Sequence, residues 1–229
     1  MTMTRYSFIR LFICNSSDPG GVFKKKTSRG LHPDLRPRYD TATFKGLCEI
    51  TMDPNTLNNF LFLSEENRKV TVTGYQCYSN HPDRFSYWRQ VLCRESLTGR
   101  HYWEVEWRGM GVYVAVAYKS IGRAGSGNEC RFGCNDKSWA LECFEKRNSF
   151  VHNNIWTPIS ATTSPRIGVY LDHSAGILCF YSVSETMTLL HRVQTTFTEP
   201  LHAGLYLELL TDAEFSLIKS GFNHYNHHQ

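Results

Sequence analysis

From Leu47 onward apolar and polar positions alternate with a period of two. In "RKVTVT" Val70 and Val72 alternate with polar neighbours, and in "GVYVAVAY" Val112, Val114 and Val116 do the same. The stretch "LTGRHYWEVEWRG" (97–109) sets Trp103, Val105 and Trp107 on one face and Glu104 and Glu106 on the other. Trp139, Leu141 and Cys143 repeat the pattern in "SWALECF", as do Ile167, Val169 and Leu171 in "RIGVYLD". Shorter runs follow in "GILCFYSV", "TLLHRV", "LYLEL" and "FSLI". Turn signals part these runs at Thr98-Gly99, Arg108-Gly109, Gly125-Ser126-Gly127, Ser164-Pro165 and Ala175-Gly176. No window carries a helical stripe beyond a short turn near residues 55–59. Ten or more short strands without crossover helices predict an all-β protein, an antiparallel sandwich or barrel.

The same alternation bears on the two glutamates. Glu104 and Glu106 point to one side of a strand, as a pair of acid/base carboxylates would, but a polar face opposite a Trp-Val-Trp core face accounts for them without chemistry.

Residues 1–44 lack sustained periodicity and contain Asp18-Pro19-Gly20-Gly21, the run Lys24-Lys25-Lys26, Pro33 and Pro37, so they read as a basic, flexible leader. Of 25 basic and 21 acidic side chains, eight basic and two acidic fall in residues 1–38, which leaves 17 and 19 for the remainder. That slightly acidic body is unsuited to neutralising phosphates, so no nucleic-acid partner is expected. Nothing approaches the run of about 20 apolar residues that spans a bilayer, and "FIRLFIC" is short and interrupted by Arg10, unlike a signal peptide. The eight cysteines are accordingly expected as reduced thiols serving as small core residues in a cytoplasmic protein. The last ten residues, 220–229, form a His-rich tail.

The nucleophile elbow, the P-loop and the G-x-G-x-x-G turn are absent. Cys130-x3-Cys134, followed by Cys143 and His152, has ligand types that suit zinc. Cys143 nevertheless falls on the apolar face of its strand, and paired C-x2-C knuckles are missing, so no metal site is expected. The loops are richer. Residues 78–88, 118–131 and 144–154 mix aromatic with basic and polar side chains, and Tyr, Trp, Phe and Arg are the preferred anchors of recognition surfaces. The candidates for contacting a partner are Arg84, Phe85, Tyr87, Lys119, Arg123, Phe144, Lys146, Arg147, Phe150 and His152. The alternative is that aromatics such as Tyr87, Trp88 and Phe150 fold back onto the core.

Three stretches, "CEITMDPNTLNNFLFLSEENRKVTV" (48–72), "RFSYWRQVLCRESLTGRHYWEVEW" (84–107) and "IGVYLDHSAGILCFYSV" (167–183), resemble the PRY-SPRY or B30.2 family. The resemblance lies in Met52-Asp53-Pro54, in Trp103-Glu104-Val105-Glu106, and in Leu171-Asp172 followed by Gly176, whose order and spacing agree with the family's motifs. It is greatest to modules of fish tripartite-motif proteins, stonustoxin-like proteins and NACHT-leucine-rich-repeat receptors. It covers residues 45–219, with PRY over about 45–100 and SPRY over about 101–219. It implies a bent, two-layer antiparallel β-sandwich of concanavalin-like jelly-roll architecture. It implies also a non-catalytic, cofactor-free module that binds a protein partner through variable loops, often in innate immunity. The motif residues Asp53, Pro54, Trp103, Glu104, Val105, Glu106, Leu171, Asp172 and Gly176 are fold determinants in that picture. The RING finger, B-box and coiled coil that precede the module in many relatives have no counterpart in the roughly 44 residues ahead of it. Ligase activity is therefore not expected of this polypeptide, and a monomer is.

Overall fold

The computed structural model describes residues 8–12, 50–144 and 147–208. Two antiparallel sheets pack face to face. In spatial order, the seven-stranded sheet runs β12 (Met187–Gln194), β11 (Ile177–Val183), β10 (Arg166–Asp172), β5 (Arg100–Arg108), β1 (Phe8–Phe12), β3 (Lys69–Val72) and β2 (Leu61–Ser64). The six-stranded sheet runs β4 (Gln90–Leu92), β13 (Leu201–Glu208), β6 (Gly111–Tyr118), β7 (Ser138–Phe144), β8 (Asn148–His152) and β9 (Ile155–Ile159). The only helix among the described residues is one 3-10 turn, Asn128–Cys130. None of them forms a helix long and apolar enough to cross a membrane.

The period-two pattern produces this architecture directly. Trp103, Val105 and Trp107 face inward from β5, Val112, Val114 and Val116 from β6, and Trp139, Leu141 and Cys143 from β7, and all join one buried cluster between the sheets. Ile167, Val169 and Leu171 complete it from β10. The family-like motifs are structural here. The Asp53 carboxylate accepts from Asn55 N, and Asp172 Oδ1 accepts from Ala175 N, so each organises a turn. Gly176 adopts φ +69°, and a Cβ there would lie 1.6 Å from the Thr195 carbonyl oxygen, so only glycine fits.

Glu104 and Glu106 do lie opposite the core face, but not as a free polar surface. Glu104 is buried, accepts from Tyr102 Oη and faces Arg166 Nη1 at 3.3 Å, while Arg166 Nη2 lies 3.6 Å from Glu106. One guanidinium clamps both carboxylates, which leaves them tied rather than poised for proton transfer.

Two expectations are corrected. The first is the leader. Phe8–Phe12 is a strand paired with both β5 and β3, and its Ile9 and Leu11 are buried in the core. Five residues are too few to show a convincing period; the two open strand edges on either side recruit them. The second is the stretch 144–154, read as a loop. Most of it is strand β8, joined to β9 by the two-residue turn Asn153-Asn154, whose φ values of +49° and +59° make a tight hairpin of the primed kind. The expected strand at "FSLI", the His-rich tail and the rest of the leader lie outside the described residues.

Candidate functional site

The inward pattern leaves the alternate residues of the six-stranded sheet on its outer face. Strand register aligns Gln90, Tyr206, Tyr113, Glu142, Ser149 and Pro158 in one row across all six strands. The adjacent row holds Leu92, Gly204, Ala115, Ala140, Val151 and Trp156. Its small side chains admit a second apolar layer in which Phe85, Phe132 and Ile121, from the connections before β4 and after β6, pack on the face. The polar row lies at the border of that cover.

Gln90 anchors the cover. This fully buried amide donates to Cys130 O at 2.7 Å and accepts from Phe132 N at 2.8 Å. The residue between those two is Arg131, and its guanidinium is thereby held over the row. Its carbon lies 4.7 Å from the Trp88 ring, 5.5 Å from Tyr113, 5.8 Å from Tyr206 and 5.9 Å from Trp156. Arg131 Nη2 donates to Tyr113 Oη at 2.9 Å, and Tyr113 Oη donates to Glu142 Oε1 at 2.7 Å. Arg147 Nη2, from an exposed side chain, also reaches Glu142 Oε1 at 3.1 Å. Burial, with the nearby glutamates, pushes the Tyr113 and Tyr206 phenols well above the usual tyrosine range, so both stay protonated.

The sequence-predicted contacts separate into three groups. Tyr87 and Arg147 are exposed beside this network, and Phe144 is half-buried at the end of β7 next to Arg147. Lys119 is exposed and lies 3.9 Å from Asp83. The others hold structure. Arg84 donates to the carbonyls of Pro54, Leu57 and Ser79, and Arg123 to those of Ile121 and Lys119 while stacking on Phe85. Phe85 and Phe150 are buried, and His152 stacks on Trp139 with Nδ1 at 2.8 Å from Ser138 O. Lys146 lies outside the described residues.

Tyr113, Arg131, Glu142, Trp156 and Tyr206 were missed. Tyr113 did carry a signal, since it is a large polar residue among the outward Gly111, Ala115 and Ala117 of β6, and Glu142 did as a charged residue next to the outward Ala140 of β7. The four candidate zinc ligands do not converge. Cys143 points into the core, where burial raises its thiol pKa, whereas Cys130 Sγ, on the outer layer, donates to Ala124 O. No cluster of three or more His, Cys, Asp or Glu that would hold a metal occurs among the described residues.

Comparison with known proteins agrees with this architecture. The family model described as SPRY-associated domain (PRY) matches residues 50–97, and that of the SPRY domain matches residues 100–214. Stonustoxin subunit beta of Synanceia horrida is 40% identical over 171 residues, covering 73% of this chain and 24% of the toxin subunit. Tripartite motif-containing protein 16 of Mus musculus is 37% identical over 188 residues, 80% of this chain and 33% of that protein. The chain thus spans a quarter to a third of the length of these curated relatives. Among solved structures, the TRIM65 PSpry domain superposes with a TM-score of 0.64 at 28% identity, covering 69% of this chain and 84% of that one. The stonustoxin structure gives 0.62 at 38% identity, covering 70% and 26%. Modules of this kind are in general protein-interaction modules rather than enzymes. With both halves matched in order over a two-sheet β-sandwich, the chain belongs to the PRY-SPRY (B30.2) family.

Proposed function

We propose that this chain recognises a protein partner through the outer face of its six-stranded sheet. One observation carries the reading: exposed Tyr87 and Trp156, at 60% and 38%, border a buried polar network instead of folding into the core. Recognition surfaces concentrate their energy in such aromatic and arginine anchors around a centre that excludes water. Arg147, which reaches Glu142 from an exposed side chain, stands at the polar rim of this face. No catalytic step is assigned to the face, whose Glu142 Oε1 is engaged by a tyrosine and an arginine. The relationship to tripartite-motif proteins supports an innate immune role in the cytoplasm.

The test is capture from immune-stimulated cell extract by the full chain, compared with a Tyr87→Ala/Trp156→Ala variant of equal melting temperature. A protein held by the native chain and lost by the variant supports the reading; equal retention moves the site elsewhere. The partial coverage of longer relatives favours a second reading, in which this module is the targeting part of a larger ligase or receptor. A transcript that joins it to further domains would establish that.

A further inference from the structure

Two buried hydrogen-bonding atoms, one on Glu142 of the polar row and one on Arg131 above it, are unmet. Glu142 is 1% exposed, and its Oε1 receives both Tyr113 Oη and Arg147 Nη2. Its buried Oε2 has no hydrogen-bond partner among the described residues. Arg131 directs Nη2 to Tyr113 Oη, and its buried Nε also has none. Since Glu142 Oε1 and Arg131 Nη2 bond the same hydroxyl, these two atoms lie within two hydrogen-bond lengths of each other. Native structures leave few buried polar atoms unmatched, because each costs its desolvation without return.

An unmatched acceptor and an unmatched donor on two groups joined through one hydroxyl select a class of ligand. A cation would satisfy Glu142 but crowd Arg131 and Arg147, and an anion would do the reverse. A trans peptide bond points its N–H and C=O in opposite directions. A primary carboxamide offers both on one edge of a plane. Trp88 and Trp156, whose rings flank Arg131, supply faces against which such a plane packs. Resting on the reading that this face takes a protein partner, we propose that the Arg131–Tyr113–Glu142 cluster is a subsite for the side-chain carboxamide of a partner's Asn or Gln. The amide oxygen accepts from Arg131 Nε, and the amide NH2 donates to Glu142 Oε2. Arg147, with its side chain 69% exposed, moves aside to admit it.

The test is an NMR titration of the 15N-labelled full chain, following the indole N–H signals of Trp88 and Trp156. The probes are N-acetyl-glutamine methylamide and its glutamate, lysine and leucine counterparts, so that only the side chain differs. A saturable shift with the glutamine probe, at least about tenfold weaker with the other three, is expected. In a Glu142→Gln variant of unchanged melting temperature the carboxylate acceptor is replaced by an amide that turns its NH2 to the subsite, and preference passes to the glutamate probe. Arg147→Ala leaves both unmatched atoms in place and keeps the glutamine preference. Equal shifts by all probes, no indole shift with the glutamine probe, or an unaltered preference in Glu142→Gln would overturn the proposal. Those results would leave protein capture that depends on Tyr87 and Trp156 intact, so failure of the subsite is distinct from failure of the face.

Discussion

Tyr113 Oη donates to Glu142 Oε1 over 2.7 Å while it accepts from Arg131 Nη2 over 2.9 Å, so one buried hydroxyl joins β6, β7 and the connection that covers the sheet. Tyr113→Phe keeps the ring and removes both bonds, leaving a buried carboxylate with less compensation. A loss of about 1–3 kcal/mol is expected from denaturant midpoints. Tyr87→Phe, at an exposed position, should stay within about 0.5 kcal/mol of the native chain. Equal stability of the two variants would contradict the bridging role.

Arg84 and Lys119 looked alike as basic loop residues, yet they differ in what their side chains reach. Arg84 Nη1 and Nη2 donate to Pro54, Leu57 and Ser79 carbonyls at 3.0, 2.5 and 3.1 Å. Arg84→Ala should therefore lower unfolding stability by about 1–3 kcal/mol, since carbonyls at its contacts lose their donors. Lys119→Ala, on an exposed side chain, should change it by no more than about 0.5 kcal/mol. Matching urea midpoints for both variants would refute the stapling role of Arg84.

Strand β1 makes residues 8–12 part of the fold. Ile9 is fully buried between Trp107 of β5 and Val70 of β3. Ile9→Asp places an unpaired charge there and should cost more than about 3 kcal/mol, while Phe8→Asp on the half-exposed side should cost much less. Thermal melts of the two variants decide the point. An Ile9→Asp chain that melts like the native one would show that the strand is not seated in solution.

Acid should weaken the fold through two histidines. Burial is the main cause that holds His202 below its usual pKa of 6.5; Lys119 and Arg123 add to it, while the Cys93 carbonyl and Glu95 oppose it. Burial alone lowers His191 in the same way. Between the folded pKa and about 6.5 the unfolded chain binds more protons, so stability rises with pH across that window and falls on acidification. The denaturation midpoint should drop between about pH 7 and pH 5, and His202→Gln should remove part of that slope. A slope unaltered by the substitution would assign the effect to other groups.

The strands were legible because alternation is a property of chain neighbours and needs no knowledge of partners. Trp103, Val105 and Trp107 declare a face within five residues. The family motifs were legible for a related reason: Asp53, Asp172 and Gly176 act on turns only a few residues long, so their spacing survives in the linear chain. The candidate site was legible in part. Tyr87 and Arg147 lie at the outer face, but Phe85 and Arg84, an aromatic and a basic residue of a similar loop, and Phe150 of β8 serve the core or the backbone.

By itself, then, the sequence determined an all-β sandwich or barrel with its inward residues and its turns, set by local period and short-range geometry, and the resemblance of its motifs narrowed this to the two-layer sandwich of a recognition-module family. Tertiary structure alone decided which outward residues meet. Gln90, Tyr206, Tyr113 and Glu142 come together only when the register of four strands is set, and Arg131 reaches them only because Gln90 holds the carbonyl before it and the amide after it. The placement of Phe8–Phe12 between β5 and β3 is likewise a long-range pairing, because what selects it is the pair of open edges on strands distant in sequence.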